Sequence, residues 1–281
     1  MPTVERQGAT VGDGELSFLT VGQGPPIVLL HGIPTGAAIW EPVLIRLADA
    51  GYQGFAPDLP GYGRTRLPRT ADHSLAGAAR LVAEWLAERA AEPAWIVGHD
   101  SGGAVAQILA VNYPTIVKRL TLTNSIADGW WPAPRARFAK AVARVGGYRA
   151  ATRLGLVPNA FMRWQIRRAF ADVAAADGIA AVLWDGKCGD PAGRAAFERH
   201  LVALSARDTA EAAVGLGALA VPCQLVWGAH DPFQPWHGPG RRLEELLPSP
   251  AVSTLEACGH FTPWECPQGL VDAMLSWAEG Y

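Results

Sequence analysis

Four cysteines occur in 281 residues, Cys188, Cys223, Cys258 and Cys266, and none shows the paired short spacing of a zinc site. That absence argues against a metal-held or disulfide-stapled fold and leaves reduced thiols as the expectation. No uninterrupted apolar run approaches the roughly 20 residues of a membrane-spanning helix. The opening Met-Pro-Thr-Val-Glu-Arg-Gln lacks the basic-then-apolar pattern of a secretory signal. A cytoplasmic protein is therefore expected. The net charge of −2 gives no general attraction to nucleic acid or to an anionic membrane. Neither a Gly-Lys-Ser/Thr phosphate loop nor a Gly-x-Gly-x-x-Gly turn is present. We find no internal repeat and no low-complexity linker.

What is there is apolar content, 49% hydrophobic against 18% charged, the balance of a globular protein with a sizeable core. The length fits one α/β core carrying an inserted piece. A weak strand pattern near Thr3–Gln7 precedes Glu15–Val21, which alternates as a half-buried strand does. Pro26–Leu30 is apolar throughout, as expected of a strand covered on both faces. Gln53–Ala56 makes a short strand, and Ser74 caps a helix with apolar positions Ala78, Leu81, Val82 and Trp85. Arg119–Thr123 is a further strand. Then the alternation stops.

From about Asp128 to Thr209 only helical patterning and breakers occur (Gly146-Gly147, Pro158, Asp190-Pro191). The core resumes with a strand over Cys223–Trp227, a helix over Arg241–Leu247, a strand over Val252–Leu255 and a helix from Pro267 to Ala278. The predicted architecture is α/β: a mostly parallel, doubly wound, eight-stranded sheet formed by 1–127 and 210–281, with 128–209 inserted as a helical lid.

Between the early strands and the insertion lies Ala94–Asn112. Its apolar Trp95–Val97 meets Gly98 and becomes a helical pattern with Val105, Ile108, Leu109 and Asn112 on one face. A strand turning sharply into a helix through small residues is a nucleophile elbow. Such a turn strains its central residue and presents it at a helix N-terminus, where negative charge is favoured. Two registers fit. With Asp100 central, Gly98 and Gly102 stand two before and two after, where close approach requires a missing side chain. With Ser101 central, the bulk of His99 falls in the tightest part of the turn. Asp100 is the favoured nucleophile, and Ser101 is the alternative, giving a serine-type ester or carbon–carbon hydrolase.

Chain order supplies two partners. Asp231 follows the strand ending at Trp227, and His260 follows the last strand, in the order nucleophile, acid, histidine of this architecture. Of the other histidines, His31 is expected to shape its loop, His99 to be packed, and His230 to adjoin the acid without replacing His260. Asn124 ends a strand where an acid would fit, but an amide cannot stabilise an imidazolium as a carboxylate does. It is expected to hydrogen-bond locally.

Four segments carry a resemblance: His31-Gly-Ile-Pro, Gly98-His-Asp-Ser-Gly-Gly, Trp227-Gly-Ala-His-Asp and Gly259-His-Phe. They resemble the oxyanion turn, elbow, acid loop and base loop of the aspartate-nucleophile branch of the α/β-hydrolase superfamily. That branch holds epoxide hydrolases and haloalkane and haloacetate dehalogenases. The likeness spans roughly 15–125 and 210–281 and is weak through the lid. It implies that Asp100 attacks an sp3 carbon to form an alkyl-enzyme ester, and that Asp231 orients His260 to activate water. Backbone N–H groups of Ile33 and Ser101 would form the oxyanion hole, with Pro34 helping to aim the Ile33 amide. No cofactor and no metal is implied.

The lid divides the branch. Halide-binding side chains are missing: the position after the nucleophile is Ser101 and the one in the oxyanion turn is Ile33, while Ala104 replaces a second carboxylate-binding arginine. Epoxide opening requires a lid acid, usually a tyrosine pair, and the lid offers Tyr148 and His200. Trp130, Trp131, Trp164 and Trp184 are read as pocket wall or core. Nine basic residues and no acidic one lie between Gly129 and Phe170, either a solvated face or a means of steering an anionic substrate. An epoxide hydrolase acting on a small, mostly apolar substrate is expected, as a monomer or homodimer. A haloalkane or haloacid dehalogenase, or a non-catalytic small-ligand binder of the same fold, is the alternative.

Overall fold

The computed structural model describes residues 2–89, 92–130, 134–154, 166–176, 178–179 and 191–280. Strands β1 (Glu5–Val11), β2 (Gly14–Val21), β3 (Pro26–Leu30), β4 (Gln53–Pro57), β5 (Ala94–His99), β6 (Val117–Thr123), β7 (Cys223–Gly228) and β8 (Ala251–Leu255) form one sheet in the order β1-β2-β4-β3-β5-β6-β7-β8. The pairs β1–β2 and β2–β4 are antiparallel, and the other pairs are parallel. The sheet is therefore the expected mostly parallel, eight-stranded one.

The continuous apolar runs are explained by burial on both faces. In β3 the side chains of Val28 and Leu30 enter one core and those of Ile27 and Leu29 the other. In β5, Ile96 alternates in the same way with Trp95 and Val97. Helices α2 (Leu75–Arg89) and α3 (Ser101–Asn112) cover the first face, and α1 (Glu41–Asp49) with the C-terminal helix Pro267–Ala278 covers the second. Strand alternation at period two feeds both cores at once.

The elbow helix departs from the one-faced helix read in the sequence. Every residue of α3 from Ser101 to Ala110 is buried, because α3 is enclosed by the sheet, α2 and the helix Ala206–Leu216. Its polar Gln107 is satisfied by donating to Ser125 Oγ at 3.1 Å and to the Ile126 carbonyl at 2.9 Å. A helix buried all round needs apolar residues all round.

Between β6 and β7 the described residues hold no strand. They contain the helices Pro134–Arg144, Gly147–Arg153, Pro191–Ala203 and Ala206–Leu216. The last of these is capped by Ser205, whose Oγ accepts the Arg207 N–H at 3.1 Å, and it packs on α3. A boundary at 209/210 thus falls inside a helix that belongs with the core packing.

Parallel registers bring the C-terminal ends of the strands together. Leu30 pairs with Gly98, His99 with Thr123, and Gly228 with Leu255. The chain runs from β3 to β4 on one side and returns to β5 on the other, so the order reverses between β3 and β5. That reversal opens a crevice at the strands' carboxyl ends, the usual ligand position in an open α/β sheet.

Candidate active site

Asp100 sits at the apex of the β5–α3 turn with φ 50° and ψ −120°, a left-handed backbone that a non-glycine residue adopts at a cost. Neighbouring glycines make the turn sterically feasible. A Cβ on Gly98 would come within 2.6 Å of the Gly102 carbonyl oxygen and the Gly103 Cα, and one on Gly102 would collide with the Leu30 and His31 carbonyl oxygens. A Cβ on Gly32 would lie 2.6 Å from Asp100 Oδ2, so the first loop also yields space to this carboxylate. The apex is Asp100, and Ser101 is the first helical residue.

Both oxygens of Asp100 are held. Oδ2 accepts the Ile33 N–H at 2.9 Å, and the Ser101 N–H also bonds the carboxylate. Oδ1 accepts from Gln234 Nε2 at 3.2 Å. Burial raises the Asp100 pKa; the charge of His260 and these three donors offset only part of that rise.

Asp231 and His260 meet as expected. His260 Nδ1 lies 2.8 Å from Asp231 Oδ2, and both side chains are buried. Asp231 Oδ1 accepts the N–H groups of Phe233 at 2.6 Å and Gln234 at 3.0 Å. Burial alone would raise the Asp231 carboxyl, but His260 and these hydrogen bonds outweigh it and hold the group below its ordinary value. An ionised acid in turn fixes the Nδ1–H tautomer of His260, which makes Nε2 the nitrogen that can take a proton.

Asn124, with φ 42°, makes one long local bond, its Oδ1 accepting from the Thr123 hydroxyl at 3.5 Å, but its shorter bonds reach far along the chain: its Nδ2 donates to Asp231 Oδ2 at 2.7 Å and its Oδ1 accepts the Gly228 N–H at 2.9 Å. It therefore braces the acid from the end of β6. The other histidines take supporting places. His31 Nε2 accepts the Leu59 N–H at 3.0 Å and its Nδ1 lies 3.1 Å from the Gly32 carbonyl, shaping the turn after β3. His99 is fully buried, its Nε2 2.8 Å from the His260 carbonyl, and burial pushes its pKa down to about 3. His230 is exposed.

Sequence reasoning missed Tyr62, on the loop after β4. Its ring stands edge-on to His31 at 4.9 Å and to His200 at 5.1 Å. Burial, and then the charges of Asp100 and Tyr148, raise its pKa well above the ordinary tyrosine value. The signal was the Gly61-Tyr-Gly63 turn, where both glycines have positive φ. Tyr148 is half-buried against Phe197, with ring centroids 4.9 Å apart. His200 Nδ1 lies 2.9 Å from the His73 carbonyl, and burial lowers its pKa to about 4. Trp130 is 48% exposed and lies over Gly238. Trp131, Trp164 and Trp184 lie outside the described residues, as does Cys188. In the basic first half of the insertion, Arg149 pairs with Glu198 and Lys140 Nζ donates to the Leu204 carbonyl. A cleft of about 730 Å³ between the 67–73 loop and these helices is lined by Arg69, His73, Arg149 and Arg199 among others, and by none of Asp100, Asp231 and His260.

A family model described as alpha/beta hydrolase fold matches residues 25–267. The chain belongs to the α/β-hydrolase family. This hydrolase is 26% identical over 282 residues to the soluble epoxide hydrolase of Corynebacterium sp. (strain C12), an alignment covering 95% of this chain and 94% of the relative. It is 30% identical over 248 residues to the pimeloyl-(acyl-carrier protein) methyl ester esterase of Chromobacterium violaceum, covering 86% and 89%. The crystal structure of an alpha/beta hydrolase fold protein from Burkholderia ambifaria superposes with a TM-score of 0.80 at 25% identity, covering 97% of this hydrolase and all of that chain.

Proposed function

We propose that the protein is an epoxide hydrolase working through an ester on Asp100. The observation that carries this reading is the position of the Asp100 carboxylate at the strained apex, with Oδ2 on the Ile33 N–H and the Asp231–His260 pair beside it. A carboxylate needs no general base to attack, so Oδ1 forms a bond to an epoxide carbon as the ring C–O bond breaks. The ring oxygen takes a proton from a tyrosine. Tyr62 is the donor we assign: the charge of Asp100 and the Tyr148 hydroxyl both act on its phenol, and with Tyr148 it supplies the pair of hydroxyls that the insertion alone lacks. His200 is set aside, because its neutral ring carries its proton on Nδ1, toward the His73 carbonyl.

In the second step His260 Nε2 removes a proton from water, and the oxygen adds to the ester carbonyl. The charge that develops on Oδ2 is met by the N–H groups of Ile33 and Ser101, a donor pair of which each member is worth about 3 kcal/mol in comparable sites. Collapse releases the diol, protonated by His260; the remaining proton of the attacking water passes from the new Asp100 carboxyl to the tyrosinate, restoring both the carboxylate and the phenol. The helices between β6 and β7 that precede Ala206–Leu216 act as a lid over this edge, and the substrate is small and mostly apolar.

The test is His260→Gln exposed separately to an epoxide panel, a haloalkane panel and p-nitrophenyl acetate, followed by intact and peptide mass. The reading expects a stable gain of the whole epoxide mass on Asp100. An alkyl gain from a haloalkane alone makes the enzyme a dehalogenase, and an acetyl group on Ser101 overturns the nucleophile.

A further inference from the structure

One donor to Asp100 plays no part in the chemistry above. Gln234 lies three residues beyond Asp231 and is 6% exposed. Its backbone is fixed at both ends: the N–H donates to Asp231 Oδ1 at 3.0 Å and the carbonyl accepts the Trp227 indole N–H at 2.8 Å. From that anchored position the side-chain Nε2 reaches Asp100 Oδ1 at 3.2 Å. A carboxylate oxygen only accepts, so the amide nitrogen must be the end that faces it.

We propose that Gln234 is a positioning residue for the first half-reaction, locking the rotation of the Asp100 carboxylate so that Oδ1 is turned to the substrate. The inference rests on Asp100 being the nucleophile. The carboxylate rotates about a broad, two-fold torsion, and donors on Oδ2 alone leave it free to swing about that contact. A second donor on the opposite oxygen stops the swing. Each carboxylate oxygen has two lone-pair sites, so Oδ1 spends one on the amide and keeps the other for the carbon. The same hydrogen bond favours the ionised form in a site where burial disfavours it. The other titratable groups acting on Asp100 are His260, which favours its charge, and Tyr62. Because Asp231 is held by the backbone of Gln234, any replacement side chain leaves the acid's hydrogen bond in place.

The experiment measures single-turnover adduct formation in the His260→Gln background, with and without Gln234→Met or Gln234→Glu, from pH 5 to 9. Methionine keeps the length and removes the donor. Adduct formation is expected to slow about ten- to a hundredfold at neutral pH, the range of one hydrogen bond to a charged group, with its acid limb moved to higher pH. Glutamate keeps the shape, sets a like charge beside Asp100, and is expected to slow the step further. Equal rates and pH profiles in parent and Gln234→Met proteins of matched melting temperature overturn the positioning role alone. No adduct on Asp100 in His260→Gln itself, from any electrophile, overturns the nucleophile and this inference together.

Discussion

Asp231 Oδ2 carries two side-chain partners, His260 and Asn124, while Oδ1 carries two backbone N–H groups. Asn124→Leu removes one partner and strands the Gly228 N–H as well. We expect the hydrolytic half-reaction to slow by about tenfold or more, the scale of a hydrogen bond to a charged group. Adduct formation in the His260→Gln background should be unchanged. Rapid-quench measurement of both steps checks this, and an equal slowing of both would refute the assignment. Asp100 itself predicts a pH effect. Its carboxyl is raised by burial and acts only when ionised, so kcat/KM is present above the folded pKa and lost as pH falls through it. The acid limb should lie above the ordinary carboxylate value of about 3.9. Much of the geometry was legible residue by residue: Asp100 at the apex of the turn from the glycine spacing, and the meeting of Asp231 with His260 from chain order. The bond from Asn124 to Asp231 was not legible because the two lie 107 positions apart, a distance at which sequence carries no pairing signal.

At the scale of elements, the elbow tolerates only hydrogen at Gly102, whose missing Cβ would strike two backbone oxygens of β3 and its following turn. Gly102→Ala is expected to lower stability by several kcal/mol or to prevent folding, since backbone cannot retreat as a side-chain tip can. Gly217→Ala is the contrast. It sits at a helix C-cap with φ −67°, its nearest neighbour 3.6 Å away, and should be neutral or slightly stabilising. Thermal melts of the two variants decide it. The strands were readable because two-sided burial leaves continuous apolar runs. The helix Glu41–Asp49 was passed over despite Val43, Leu44 and Leu47 on one face and Pro42 near its start. For α3 the reading of a single apolar face failed, since alanine and glycine are mute about whether small residues face solvent or close packing.

Across the whole molecule, His99 and His200 are buried neutral, with pKa values near 3 and 4 against an ordinary 6.5. Above 6.5 neither state binds the protons. Below it the unfolded chain takes them up and the folded one does not, so stability falls with pH down to the folded values. Each histidine contributes a loss of up to about 1.4 kcal/mol per pH unit in that window. Melting temperature should therefore drop progressively from pH 7 to 5, and His200→Gln should make the decline shallower. A flat profile would contradict the neutral assignment. The fold and the sharp turn at Asp100 were legible because they rest on strand alternation and glycine spacing. The meeting of Tyr62 from the core with Phe197 and His200 of the inserted helices was not, because no local pattern encodes that juxtaposition.

The central claim is that water attacks the ester carbonyl of Asp100. Multiple turnovers in H₂¹⁸O measure it most directly, with peptide mass spectrometry of the segment holding Asp100. The account predicts heavy oxygen in the Asp100 carboxylate, because each alcohol leaves with an enzyme oxygen that solvent replaces. Full turnover with no label at Asp100 would contradict it.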